Sequence, residues 1–381
     1  MTTRNASETK TRRRFIENDC RLEFQQGIEP GKWPEHHKVT FQHIEELGST
    51  HFGEWKAEIQ ADWRKYPWRL DTRRRAEEIV EKAKQCQRER KNEREWRSEI
   101  EPLVFTRLAK DVSWGEPGLS SMFTYREEEI VKHDLAAAAK LKKKSEKPDR
   151  VYGLRQTGTL LKLLRTKVGD DEFGTLEERL EPTLFPNDLK PQVFPFLLLE
   201  AKTGSSASFQ EIDDQSGVML HKCLTIQQRL RDAISPASKW IAGPLCWYIS
   251  SCGATWRIAA GYAVDSSRID FEVANLWVGY IGKDDGALQL LLIADYICDW
   301  ARSVHREAMI RSLNKLATCP SPELNDLASL RSFDRLTVNS YHGKRDLDIL
   351  ETFAENASES NLLKKLEKIS SWESGGGDDA S

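Results

Sequence analysis

Glu200-Ala201-Lys202 puts a carboxylate and an ammonium directly after the apolar run Val193-Phe194-Pro195-Phe196-Leu197-Leu198-Leu199. The run is short and free of charge, and it reads as an interior β-strand. Side chains alternate along a strand, so Glu200 and Lys202 share one face and Ala201 points to the other. A second carboxylate, Asp149, lies in Lys147-Pro148-Asp149-Arg150, just before the strand-like Val151-Tyr152-Gly153-Leu154. If these strands are neighbours, Asp149, Glu200 and Lys202 converge, and together they could hold a divalent metal beside a phosphodiester. Mg²⁺ takes hard oxygen ligands and keeps several waters. Asp149 and Glu200 supply such oxygens, and the backbone carbonyl of Ala201 is a third candidate. The metal would lower the pKa of a bound water and clamp a phosphate oxygen. Lys202 could orient that water or offset transition-state charge. Taken alone, Glu-x-Lys after an apolar run more often marks a strand ending in solvent. The upstream Pro-Asp before a second strand reverses that preference.

These words resemble the PD-(D/E)XK nuclease superfamily, and within it the fungal PD-(D/E)XK nuclease-like domain proteins. Pro148-Asp149 is similar to the first element of the motif and Glu200-Ala201-Lys202 to the second. The resemblance spans roughly residues 90–315. It implies an α/β (α+β) fold, a restriction-endonuclease-like core whose central mixed sheet is flanked by helices. It also implies a Mg²⁺- or Mn²⁺-dependent nuclease acting on nucleic acid, with DNA the expected one and the choice between DNA and RNA left open. Two further site residues follow from the resemblance. A polar residue on the helix after Lys202 should reach back to the metal or the nucleic acid, and Gln215 is chosen from Gln210, Glu211 and Gln215. A glutamate on the first core helix should join the site. Asn92-Glu93-Arg94-Glu95-Trp96 resembles the fungal E-x-x-W pattern and points to Glu93, with Glu95 and Glu99 as rivals. A nuclease-like fold that binds nucleic acid or a protein without cutting is the alternative.

The surrounding composition is compatible with both readings. The chain has 381 residues, a net charge of −3, 31% charged and 39% hydrophobic residues, and no stretch apolar enough to span a membrane. Its N-terminus lacks the apolar core of a signal peptide. Seven cysteines are scattered without a CxxC pair, so neither a zinc site nor a disulfide framework is expected. An intracellular location, nuclear or cytoplasmic, follows. No HExxH, EF-hand, P-loop or GxSxG pattern occurs among these residues. The net charge does not announce a nucleic-acid binder, but its distribution is suggestive. Lys140, Lys142, Lys143 and Lys144 crowd the approach to Asp149, and Arg155 follows it. These five are the candidate phosphate contacts, against the plainer reading of a solvated face or a localisation signal.

Punctuation along the chain sets the boundaries. Residues 1–13 and 373–381 read as disordered tails, 14–89 as an N-terminal helical extension and 319–372 as a C-terminal one. The nuclease-like domain would cover 90–318, with an insertion at about 155–192 marked by glycines and prolines. Asp71 to Lys110 reads as helix with Asp71 a possible N-cap, broken or restarted at Pro102. Trp33, Trp55, Trp63 and Trp68 read as packing residues. Cys246–Ser250 and Thr255–Val264 read as a hairpin joined through Gly253, Phe271–Tyr280 as another strand, and Gly286–Ala317 as one long helix.

Overall fold

The computed structural model describes residues 2–25, 27, 30–62, 67–113, 122–167, 174–188, 191–202, 208–234 and 243–317. The expected C-terminal extension and tail, and Trp63, lie outside the described residues. Seven strands form one mixed sheet: β1 (Leu22–Gln25), β2 (Phe123–Glu127), β5 (Arg150–Arg155), β6 (Gln192–Lys202), β7 (Leu245–Cys252), β8 (Thr255–Ala263) and β9 (Phe271–Tyr280). A separate two-stranded ribbon joins β3 (Val131–Lys132) to β4 (Ser145–Glu146). The order in the main sheet is β1-β9-β8-β7-β6-β5-β2. Pairing is antiparallel except for β6 with β7 and β1 with β9. A parallel pair needs a crossover, and α10 (Phe209–Ile234) supplies it between β6 and β7.

β6 is central and buried on both faces through Ala201, which explains its unbroken apolar run. On one face Val151, Leu198 and Tyr248 join Ile212, Val218, Met219 and Leu220 of α10 in the core, with Ile16 of α1 (Thr2–Asn18) packed among them. On the other face Tyr152 and Trp256 meet Phe105, which caps α5 (Glu93–Val104). Three more helices precede α5, namely α2 (Lys38–Gly48), α3 (Phe52–Asp62) and α4 (Pro67–Arg88). The short α6 (Thr106–Ser113) follows it, α7 (Leu135–Leu141) links β3 to β4, and α8 (Gly158–Leu164) and α9 (Leu176–Leu180) lie between β5 and β6. The described residues end with α11 (Asp284–Trp300), a π turn over Ala301–His305 and α12 (Arg306–Leu316).

Several boundaries differ from the sequence reading. Within the expected disordered tail, residues 2–13 are helical, since α1 begins at Thr2. Its composition is polar, so docking holds it rather than propensity. Gly217 of α10 leaves room for Ile16, whose Cδ1 would lie 2.7 Å from a Cβ at that position. The N-terminal region is not purely helical either, because β1 completes one edge of the main sheet. Asp71 sits inside α4 rather than capping it, and α5 runs through Pro102. The break falls earlier, at Arg90 in left-handed conformation and at Asn92, whose side chain caps α5 in a reciprocal box with Glu95. The expected long helix from Gly286 is interrupted by the π turn.

Candidate active site

Strand register alone brings the motif carboxylates together. β5 pairs antiparallel with β6 so that Arg150 faces Leu199, which sets Asp149 beside Glu200. A bulge between Tyr152 and Leu154 makes this register compatible with the rest of the strand. Gly153 permits it, because a Cβ there would lie 2.6 Å from Cγ of Gln192. The Gln192 amide instead donates to the carbonyls of Thr124 and Val151, at 3.0 and 2.8 Å, across the irregular stretch.

The resulting contacts are close. The backbone N–H of Ala201 donates to Oδ2 of Asp149 at 2.8 Å, and the N–H of Asp149 donates to Oε2 of Glu200 at 3.4 Å. Lys202 Nζ lies 3.4 Å from Oε1 of Glu200 and 3.8 Å from Oε2 of Glu93. Gln215, on α10, donates from Nε2 to Oε1 of Glu200 at 2.5 Å. Asp149, Glu200, Lys202, Gln215 and Glu93 thus share one cluster, and Ala201 enters it through its N–H. The rival glutamates are engaged elsewhere: Glu95 in the α5 capping box, Glu99 with Lys82 and Lys91.

Glu200 is 3% exposed. Burial first, then the neighbouring charge of Asp149, pushes its carboxyl up to about 7, and Lys202 only partly opposes them. Burial likewise raises Glu93 despite the attraction of Lys202. The cluster extends to residues the sequence reading missed. Arg97 donates from Nη1 to Oδ1 of Asp149 at 3.2 Å, from Nε to Glu101 at 3.0 Å and from Nη2 to Glu127 at 2.9 Å. Glu128 lies 3.5 Å from its Nη1. Arg150 bridges Glu101 and Glu127, and Lys147 pairs with Glu128. Glu93, Arg97 and Glu101 recur every four residues, one face of a helix, and that spacing was the available signal.

Behind the cluster, Arg12 of α1 ties two of its supports together. It donates to Oε1 of Glu146, three residues before Asp149, at 2.6 Å and to the carbonyls of Asp214 and Gln215. Lys143 and His133 complete the surroundings of the buried Glu146. On the sheet side Arg257 clamps Asp213 of α10 and donates to Ser250, the register partner of Glu200.

The five candidate phosphate contacts fare differently. Lys140 is ion-paired with Asp19 and Lys143 with Glu146. Lys140 lines the cleft of about 1170 Å³ between α1, α7 and α10, which none of the motif residues lines. Arg155 ends β5, six residues from Asp149 and therefore about 20 Å away. Lys142 and Lys144 are exposed.

Among the described residues, no three His, Cys, Asp or Glu side chains group closely enough to hold a metal by themselves. No helix among them is long and apolar enough to cross a membrane. Compared with family models, curated proteins and solved structures, the chain matches none.

Proposed function

We propose that the protein is a metal-dependent nuclease that hydrolyses phosphodiester bonds of nucleic acid. One observation carries the reading. Asp149, Glu200, Lys202 and Glu93, with Gln215 hydrogen-bonded to Glu200, lie in one network whose carboxylates outnumber its cations by two. Those carboxylates are Glu93, Glu101, Glu127, Glu128, Asp149 and Glu200, and the cations are Arg97, Lys147, Arg150 and Lys202. The deficit equals the charge of one divalent ion. The donors are hard oxygens, which suit Mg²⁺ or Mn²⁺. Burial and then the Asp149 charge push the Glu200 carboxyl up to about 7, and a bound cation would oppose both.

Asp149, Glu200 and the Ala201 carbonyl would hold the ion, which supplies an acidified water and a clamp on a phosphate oxygen. Ala201 N–H fixes the Asp149 carboxylate, and Gln215 fixes that of Glu200. Lys202 is 29% exposed and partly free to face substrate, where its ammonium offsets charge growing on the phosphate. A second reading, a nuclease-like module that binds nucleic acid or protein without cutting, is favoured by one feature. The Arg97 guanidinium already sits on Oδ1 of Asp149.

Purified full-length protein incubated with DNA and RNA, with and without Mg²⁺ or Mn²⁺, tests the proposal. Cleavage should need the ion, and Lys202→Ala should slow it by about 10²–10³-fold while leaving ion binding intact. No ion-dependent cleavage would favour the binding module. Equal rates for Lys202→Ala and wild type would put the activity elsewhere.

A further inference from the structure

Asp149 has two carboxylate oxygens with different surroundings. Oδ2 is held by the N–H of Ala201 at 2.8 Å, and Oδ1 faces Nη1 of Arg97 at 3.2 Å. An ion approaching Oδ1 meets a guanidinium whose side chain is only 10% exposed. Arginine cannot leave by losing its proton, so it must share Asp149 or move. A landing place is adjacent. Nη1 is already 3.5 Å from the Glu128 carboxylate, which is half-exposed, while Nε and Nη2 are anchored on Glu101 and Glu127.

We propose that Arg97 is the resident counter-ion of Asp149 and that a divalent cation binds by exchange with it. Nη1 passes from Asp149 to Glu128 while Nε stays on Glu101. This rests on the metal-site reading above and adds that the site is closed by its own arginine until an ion opens it. The arginine feature that favours a non-cutting module then becomes a latch.

Calorimetric titration of the full chain with Mn²⁺ alone, at fixed pH and salt, tests the exchange. A unit and a double positive charge roughly 5 Å apart repel enough, even at the dielectric of water, to change affinity about tenfold. Arg97→Gln should therefore bind Mn²⁺ at least about tenfold more tightly than wild type. Arg150→Gln removes the same charge from the same network without touching Asp149, and should tighten binding much less. Equal tightening in both variants would mean that network charge alone matters, and the exchange would be overturned. Unchanged or weaker binding by Arg97→Gln overturns it too. Circular dichroism checks folding. If Arg97→Gln does not fold, Arg97→Lys keeps the charge but cannot span Glu101 and Asp149 together, and it should still bind more tightly than wild type. Binding equal to wild type would refute the exchange. Asp149→Asn separates the two claims. If it binds Mn²⁺ as well as wild type does, the metal site itself is wrongly assigned and the exchange falls with it.

Discussion

Glu200→Gln should make the protein's stability respond differently to pH when no divalent ion is present. The Glu200 carboxyl is pushed up to about 7 by burial and by Asp149, from an ordinary value of 4.5. A raised carboxyl pKa means the folded state holds a proton that the unfolded state has released. The cost of charging Glu200 is thus fully present above pH 7 and is relieved as pH falls from 7 towards 4.5. Between pH 8 and pH 5.5 wild type should gain about 2 kcal/mol from this residue alone. The amide of the variant carries no charge and gains nothing, while the other titrating groups are common to both proteins. Urea unfolding in EDTA at the two pH values measures the difference between the two gains. Parallel profiles would refute the claim that Glu200 is an under-compensated buried carboxyl, and with it one supporting argument for a cation there. Saturating Mg²⁺ at pH 8 should stabilise wild type and leave the variant nearly unmoved.

Gly217→Ala should cost about 1–3 kcal/mol through overpacking against Ile16, and adding Ile16→Val, which removes the clashing Cδ1, should recover part of it in thermal melting. Lys142→Ala/Lys144→Ala should flatten the salt dependence of duplex binding by at most about two phosphate contacts' worth, roughly 0.9 each on the log–log slope. Adding Lys140→Ala and Lys143→Ala should flatten it no further, since Asp19 and Glu146 hold those two lysines. A slope that falls in proportion to all four lysines would contradict these pairings.

What was legible in the sequence was local. The apolar run ending at Glu200 predicts β6 because a buried strand shows in its own composition, and the β-branched and aromatic residues of Phe271–Tyr280 predict the half-buried β9. The β7–β8 hairpin was legible through Gly253, which adopts φ +58° at the turn. The pairing of Asp149 with Glu200 needed only the assumption that two strands were neighbours. Hidden features depend on partners far along the chain. Nothing near Arg97 announces Asp149, 52 residues on, and nothing near Lys140 announces Asp19, 121 residues back. Charged residues were therefore assigned to solvent or phosphate when carboxylates already held them. Residues 1–13 read as a tail because nothing in that polar stretch shows that Arg12 is held by Glu146 and the carbonyls of Asp214 and Gln215, all far along the chain.

The parallel pairing of β1 with β9 also sets a timetable. Leu22 waits for Phe271 as its register partner, about 250 residues later, and a ribosome adding roughly 5–20 residues per second needs on the order of 12–50 seconds to deliver it. Arg12 waits nearly as long for the carbonyl of Gln215. Throughout that interval β1 lacks its register partner, while α1 gains α10 somewhat earlier. β1 is thus fastened to the sheet late, and nascent chains stalled between β8 and β9 should be open to proteolysis at β1 while the β5–β6 pair is already protected.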